Sequence, residues 1–183
     1  MTIKKRVLII GLAVIVLAAI VFVVYPFFPL LKYQFLSLIG KTFDEEGLSS
    51  ISETNILIIP KINVKIEIVE GEDESVLSKG AWRMPQTSTP NKGGNTVLSA
   101  HRWKYQPPSE KTFYLLDKLE TGDSFYVIWE KKKYNYKVVS TSIVLPTDLS
   151  VLNPTTTPSI TLLTCHPLFS TTKRLIVRGE LIQ

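Results

Sequence analysis

The longest uncharged stretch of this sequence covers residues 7–31, which include no Asp, Glu, Lys or Arg. A helix needs about 20 predominantly apolar residues to cross the hydrocarbon core of a bilayer. The stretch meets that length even if Pro26 ends the helix early. A helix buried in a soluble core is the alternative, but 25 consecutive residues without a charge are too many for it. The stretch therefore predicts a transmembrane segment.

The charges on either side of this segment predict its orientation. Three basic residues at positions 4–6 precede it, whereas Lys32 and Lys41 follow it and acidic residues come soon afterwards. The side with the tighter basic cluster stays in the cytoplasm. The run is also longer than the apolar core of a cleaved signal peptide, and no A-x-A cleavage site follows it. We therefore expect an uncleaved, single-pass signal-anchor in the cell membrane, with residues 1–6 in the cytoplasm and the rest of the chain outside the cell.

The net charge of +5 gives no reason to expect a nucleic-acid partner. Of the 21 basic residues, three precede the apolar segment, and no acidic residue occurs in residues 1–31. The remaining chain carries 18 basic and 16 acidic residues, a net charge of +2. A nucleic-acid-binding domain normally shows a concentrated basic surface, and this chain shows none.

Beyond the apolar segment, a polar stalk and then a series of short strands are predicted. Residues 32–54 contain Gly40, Gly47 and a serine-rich patch, and could begin with a short amphipathic helix over residues 33–39. From Asn55 onward, short runs rich in β-branched and aliphatic residues alternate with turn residues. These runs are ILIIP, VKIEIVEG, TVLSAHR, SFYVIWE, YNYKVVSTSIVL, SITLLTC and RLIVRGELI.

Little helix is predicted among these strands. Only ESVLSKGAW and residues 112–119 favour short helices, and the lysines at 131–133 favour a solvated hairpin tip. Seven or eight short strands within about 130 residues indicate an all-β fold, a closed or nearly closed barrel. The predicted organisation is therefore a cytoplasmic segment 1–6, a membrane anchor 7–31, a stalk 32–54 and a barrel domain 55–183.

The only cysteine of the chain, Cys165, ends an apolar strand near the C-terminus. One cysteine forms no internal disulfide, and a lone thiol outside the cell is either reactive or shielded in the core. A thiolate is a strong nucleophile when a proton carrier lies nearby. Acyl transfer also needs a hydrogen-bond donor directed at the developing oxyanion. An arginine can supply that donor because it stays charged, and Arg174 lies nine residues after the cysteine.

Two histidines compete for the role of proton carrier. His166 is adjacent to Cys165 in sequence, but neighbouring residues of a strand point to opposite faces. His101 is remote in sequence and ends a different predicted strand, so it is the better base. A histidine of a small barrel is often only a surface residue, and the residue pattern alone leaves that alternative open.

The motifs around these residues resemble the sortase family. TLLTC with the arginine of KRLIV resembles the family's TLxTC strand and its downstream arginine. ILIIPKINV resembles the first strand, and IVEG, a helix ending in KG, a P-x-x-x-x-P segment and GN resemble the approach to the family histidine. SAHR resembles the usual GHR, with Ala100 where Gly is common, and LDKLETGD resembles the L-x-x-L-x-x-GD turn. The similarity extends over residues 55–183.

The resemblance implies an eight-stranded barrel and a cysteine transpeptidase. Cys165 matches the nucleophile, His101 the histidine and Arg174 the arginine of the family. Such enzymes cut an LPxTG-like sorting signal between Thr and Gly, hold the threonine as a thioester and pass it to an amine. The implied partners are sorting-signal proteins and an amine acceptor such as the stem peptide of a cell-wall precursor. Thr164, Ala100 and His166 are candidates for substrate contacts.

No cofactor or metal site is expected. Acidic residues occur in several loops, but their spacing is not that of a calcium-binding loop, so calcium is not indicated. The TCHP ending resembles class E sortases and then class D. A pilin-polymerising class C enzyme is an alternative, although residues 32–54 lack the Asp-Pro-aromatic lid motif.

Three alternatives lie outside the sortase family. An L,D-transpeptidase has His and Gly just before its cysteine, where this chain has Thr164. A papain-like hydrolase has its cysteine before its histidine, and the order here is reversed. The non-enzymatic alternative is a membrane-anchored adhesin or scaffold in which Cys165 is structural.

Overall fold

The computed structural model describes residues 3–39, 54–104 and 111–182. Two helices begin the described chain. The first, α1, is Ile3–Val24, and the second, α2, is Phe28–Leu38. A 3-10 turn over Tyr25–Phe27 joins them, and Ile3–Leu38 together is long and apolar enough to cross a membrane.

Pro26 does not end the helical region, although the first α-helix itself stops at Val24. It lies in the 3-10 turn, and Pro29 occupies the first turn of α2, where proline is tolerated because its missing N–H would have no partner. The predicted stalk therefore begins as a helix, and Tyr33 of α2 packs against the barrel core. The remainder of the stalk, residues 40–53, lies outside the described residues.

Eight strands close into a barrel, which confirms the predicted fold class. Around the barrel they follow the order β1-β2-β3-β4-β7-β8-β6-β5. The strands are β1 Ile56–Ile59, β2 Val64–Val69, β3 Ala81–Arg83, β4 Asn95–Ser99, β5 Ser124–Trp129, β6 Lys132–Val144, β7 Ser159–His166 and β8 Lys173–Ile182.

The pairing of β4, β7 and β8 determines where the functional side chains lie. β4 runs parallel to β7, with Ser99 level with Leu163. β7 runs antiparallel to β8, with Cys165 level with Arg174. The strand that ends at the cysteine is therefore flanked by the strand that leads to His101 and by the strand that carries the arginine.

The barrel interior is filled by side chains from every strand, so the scaffold under the site is rigid. Leu98, Leu162 and Val177, one from each of the three site-bearing strands, are fully buried. On the neighbouring strands β5 and β6, Phe125 stacks on Tyr136 with 5.5 Å between ring centroids. Close packing of this kind leaves few voids and gives the interior low compressibility.

Two local predictions were wrong in detail. Glu130 and Lys131, both with positive φ, form the hairpin turn, and Lys132 already belongs to β6. This two-residue turn is the geometry that matches the twist of a hairpin, so only the first lysine of the run lies at the tip. The segment ESVLSKGAW forms a 3-10 helix over Glu74–Ser78 and then enters β3, a strand too short to be recognised from its sequence.

Candidate active site

Cys165 lies one residue before the end of β7, with a half-buried side chain and a free thiol. Its antiparallel partner on β8 is Arg174. Residues directly opposite each other in an antiparallel pair project to the same face, with their Cβ atoms about 4.5–5.5 Å apart. The guanidinium-bearing side chain therefore starts next to the thiol.

His101 reaches the other side of the cysteine from the end of β4. The N–H of Ala100 donates to the carbonyl of Leu163 at 3.2 Å, which carries the parallel β4–β7 register past the end of the strand. One more step along both chains brings His101 level with Cys165. The N–H of Phe113 donates to the carbonyl of His101 at 2.8 Å and fixes the backbone that bears the imidazole.

Thr164 and Ala100 join the two strands beneath the site. The Thr164 hydroxyl donates to the carbonyl of Ala100 at 2.8 Å, and only 1% of the threonine and 4% of the alanine is exposed. Both residues nevertheless line the groove that contains Cys165, so their contact with a substrate stays a prediction. The contact holds β4 and β7 at a constant spacing where the histidine and cysteine emerge.

Cys165, His101 and Arg174 all line one groove of about 390 Å³, here named the thiol groove. The other walls are mainly apolar, and two acidic residues, Glu74 and Asp148, also line the groove. Apolar walls with a few convergent polar groups are typical of a ligand site. Among the apolar wall residues are Trp82, Met84, Leu145, Leu149 and Leu163.

The environment of His101 favours its neutral form. Burial lowers the pKa of His101, nearby Lys104 lowers it further, and Glu74 opposes both effects. A neutral imidazole has a nitrogen free of a proton. The histidine at this position can therefore accept a proton near neutral pH.

Arg174 donates to the loop between β7 and β8 and to the first residue of β8. Its Nη1 lies 2.9 Å from the carbonyl oxygen of Thr171 and 3.0 Å from that of Lys173. A guanidinium carries five N–H donors in a planar fork, so these contacts position the group without exhausting its donors. A charged donor is thereby held beside the thiol.

His166 lies outside the thiol groove. It lines a separate pocket of about 420 Å³, the His166 pocket, together with Asp117 and Leu175. Its Nδ1 lies 3.0 Å from Nη1 of Arg102. The structure thus brings His101, Cys165 and Arg174 to one face of the sheet formed by β4, β7 and β8. His166 lies on the other face, as strand alternation requires.

Arg102, Asp117 and Glu74 near these pockets were not identified from the sequence. In the sequence, Arg102 stands out only as the last residue of the SAHR motif. Its partner Asp117 belongs to a 3-10 turn that follows later in the chain. Among residues 3–39, 54–104 and 111–182, no group of three or more His, Cys, Asp or Glu side chains is arranged to hold a metal ion.

We expect Arg174→Ala to lower kcat/KM for acyl transfer by about 10²–10³-fold, the usual effect of losing one oxyanion donor. Arg174→Lys should restore activity only in part, because an ammonium lacks the planar fork. Arg178, four residues further along β8, supplies the matched control. A larger loss from Arg178→Ala than from Arg174→Ala would show that the wrong arginine has been chosen.

Comparison with known proteins is consistent with this arrangement. The family model of the sortase domain matches residues 57–182. Sortase D of Bacillus subtilis (strain 168) is 32% identical over 131 residues, which cover 69% of this chain and 63% of that protein. Sortase SrtE1 of Streptomyces coelicolor is 34% identical over 144 residues, which cover 70% of this chain and 40% of that protein. The match thus spans less than two thirds of the length of either relative.

A solved structure shares the same fold. Group B Streptococcus Pilus Island 1 Sortase C2 matches with a TM-score of 0.64 and 37% identity, covering 76% of this chain and 80% of that chain. The resemblance predicted from TLLTC, SAHR and the downstream arginine is therefore confirmed at the level of sequence family and of barrel topology. The chain belongs to the sortase family.

Proposed function

We propose that this protein is a membrane-anchored cysteine transpeptidase that cleaves an LPxTG-like sorting signal between Thr and Gly. It transfers the resulting acyl group to an amine and so attaches proteins to the cell wall. The observation that carries the proposal is the thiol groove, in which Cys165 lies on the strand between those that bear Arg174 and lead to His101. Membership of the sortase family supports the same chemistry.

In the first half of the reaction, a peptide bond is exchanged for a thioester. His101 takes the thiol proton of Cys165, and the sulfur attacks the threonine carbonyl of the sorting signal. Arg174 donates hydrogen bonds to the oxyanion of the tetrahedral intermediate. The C–N bond then breaks as the imidazolium returns its proton to the departing glycine nitrogen.

In the second half, the thioester is exchanged for a new amide. An incoming amine attacks the thioester carbonyl and loses its proton to His101, and the thiolate of Cys165 leaves and is reprotonated. The proton balance closes over the full cycle, so no cofactor is required. The acceptor that fits this step is a primary amine, such as that of a cell-wall precursor stem peptide.

The apolar groove walls suit the leucine and proline of such a signal. Trp82, Leu145 and Leu149 provide surfaces on which an extended apolar peptide segment would lose water contact. The TCHP sequence at residues 164–167 favours a class E or class D enzyme. A pilin-polymerising enzyme is the second candidate, because the Group B Streptococcus structure named above belongs to a pilus island.

The test is incubation of the full-length protein in detergent with a panel of LPxTG-like peptides and a primary amine. We expect one or more peptides to be cut between Thr and Gly and joined to the amine, as read by mass spectrometry. Peptides with Thr and Gly exchanged are the matched control. Absence of cleavage across the panel, with slow labelling of Cys165 by a thiol reagent, would instead support the non-enzymatic adhesin or scaffold.

We also propose that residues 7–31 anchor the barrel outside the cell, with residues 1–6 in the cytoplasm and residues 32–54 as the connecting stalk. The side chains of α1 are all exposed despite their apolar character, as expected for lipid contact. Protease added to intact spheroplasts should digest the barrel while a cytoplasmic marker protein survives. Full protection of the barrel would contradict this topology.

A further inference from the structure

A cation is buried beneath the thiol groove. The side chain of Arg102 is only 6% exposed, although an isolated charge is strongly disfavoured in a protein interior. Its Nη2 forms an ion pair of 2.8 Å with Oδ1 of Asp117, which comes from the 3-10 turn Leu116–Lys118. The carboxylate compensates the charge and anchors one end of the fork.

The other end of the fork reaches the last two residues of β7. Nη1 of Arg102 lies 3.0 Å from Nδ1 of His166 and 3.4 Å from the carbonyl oxygen of Cys165. The parallel register of β4 and β7 explains these contacts. His101 is level with Cys165 on the groove face, and Arg102 is level with His166 on the opposite face. Consecutive residues after β4 thus lie level with consecutive residues of β7.

The contact with Arg102 also determines the tautomer of His166. A guanidinium only donates hydrogen bonds, so the Nδ1 it contacts must accept and carries no proton. The ring proton of the neutral histidine then sits on Nε2. Protonation of Nδ1 would break this hydrogen bond and place two cations side by side.

The surroundings of His166 lower its pKa on balance, which also favours the neutral imidazole. Burial lowers the pKa of His166, the Arg102 guanidinium and Lys173 lower it further, and Asp117 opposes them. These are the charged groups from β8, from the turn and from the end of β4 that face the imidazole. The neutral, hydrogen-bond-accepting form is therefore favoured at neutral pH.

We propose that Arg102 is a positioning residue for the transpeptidation described above: it clamps the end of β7 through the Cys165 carbonyl and the Nε2–H tautomer of His166. This holds the thiol level with His101. Asp117 orients the guanidinium that forms the clamp. The inference rests on the proposed function for its kinetic consequence, but the clamp itself is measurable without substrate.

The substrate-free experiment uses the only two histidines of the chain. Full-length protein labelled with ¹⁵N in the imidazole rings, in detergent, gives four ring-nitrogen signals, assigned with a His166→Gln variant. We expect His166 to be the neutral Nε2–H tautomer at pH 7. Arg102→Met should raise the pKa of His166 and mix its tautomers, whereas Asp117→Asn should lower that pKa. A purely structural role for Arg102 predicts no such opposite shifts.

The kinetic experiment uses the same variants with a sorting peptide. A displacement of reacting groups by about 1 Å can lower the rate about 10²-fold, so we expect Arg102→Met to lower kcat by about 10–10²-fold while KM changes little. Arg102→Lys should rescue poorly, because one ammonium does not reproduce the fork. Lys118→Met, which removes the other cation on Asp117, is the matched control and should leave kcat unchanged.

The outcomes separate this inference from the proposed function. An Nδ1–H tautomer of His166 in the unmodified protein, or an unchanged kcat in Arg102→Met, would overturn the clamp. If no peptide is turned over, the proposed function fails, and the clamp is decided by ring-nitrogen spectra and by the alkylation rate of Cys165. If Arg102→Met does not fold, Arg102→Lys and Asp117→Asn decide by the same readouts.

Discussion

Replacing Cys165 by alanine is expected to abolish acyl transfer while leaving the barrel intact. The substitution removes the only thiol of the chain, and no other side chain of the thiol groove can form the thioester. Loss of the nucleophile in a serine protease lowers kcat by about 10⁶-fold, so activity should fall to background. The measurement is transfer of a sorting peptide to an amine, followed by mass spectrometry.

The stability of this variant is its control. A typical destabilisation of about 1 kcal/mol corresponds to a shift in Tm of only about 2–4 °C for a chain of this size. Because Cys165 is half-buried and the change removes a single sulfur atom, the shift should not exceed this range. Transpeptidation that persists in a folded Cys165→Ala protein would end the proposal.

The second large effect concerns the choice between the two histidines. His101→Ala should lower kcat/KM by about 10²–10⁴-fold, the range for loss of a general acid–base group. His166→Ala should lower kcat/KM much less, because His166 faces the second pocket. The substitution removes only one of the contacts of Arg102. The two variants are compared side by side with the same peptide.

Circular dichroism of both variants controls for folding. A greater loss in His166→Ala than in His101→Ala would make the adjacent Cys165–His166 pair the working unit. That result would contradict the alternation of β7, which places the two side chains on opposite faces. Equal losses in both variants would equally remove the reason for preferring His101.

The strands and the faces of their side chains were predictable because they follow from local patterns. SITLLTC and RLIVRGELI read as strands from their β-branched and aliphatic residues, and alternation alone separates Cys165 from His166. The long apolar helix near the N-terminus was predictable for the same reason, since the length of the run and its lack of charge are visible in the sequence. The sequence left open whether Pro26 ends the helix, and the structure shows a 3-10 turn there, after which the chain resumes as a second helix.

Structural features that depend on contacts between residues far apart in sequence were not predictable. The parallel pairing of β4 with β7 joins residues more than 60 positions apart, such as Ser99 and Leu163, and no local pattern encodes it. Arg102 was passed over because arginine is almost never buried unless it is paired, and its partner Asp117 belongs to another element. The three-residue strand β3 was too short to show a period.

The most direct test of the central claim is the mass of the protein trapped during turnover. Full-length protein is mixed with a reactive LPxTG-like peptide without an amine acceptor, quenched in acid and analysed intact and after proteolysis. A thioester mechanism predicts a mass increase equal to the peptide up to its threonine, located on Cys165, sensitive to hydroxylamine and absent from Cys165→Ala. Cleavage of the peptide with no adduct on Cys165, or an adduct on another residue, would contradict it.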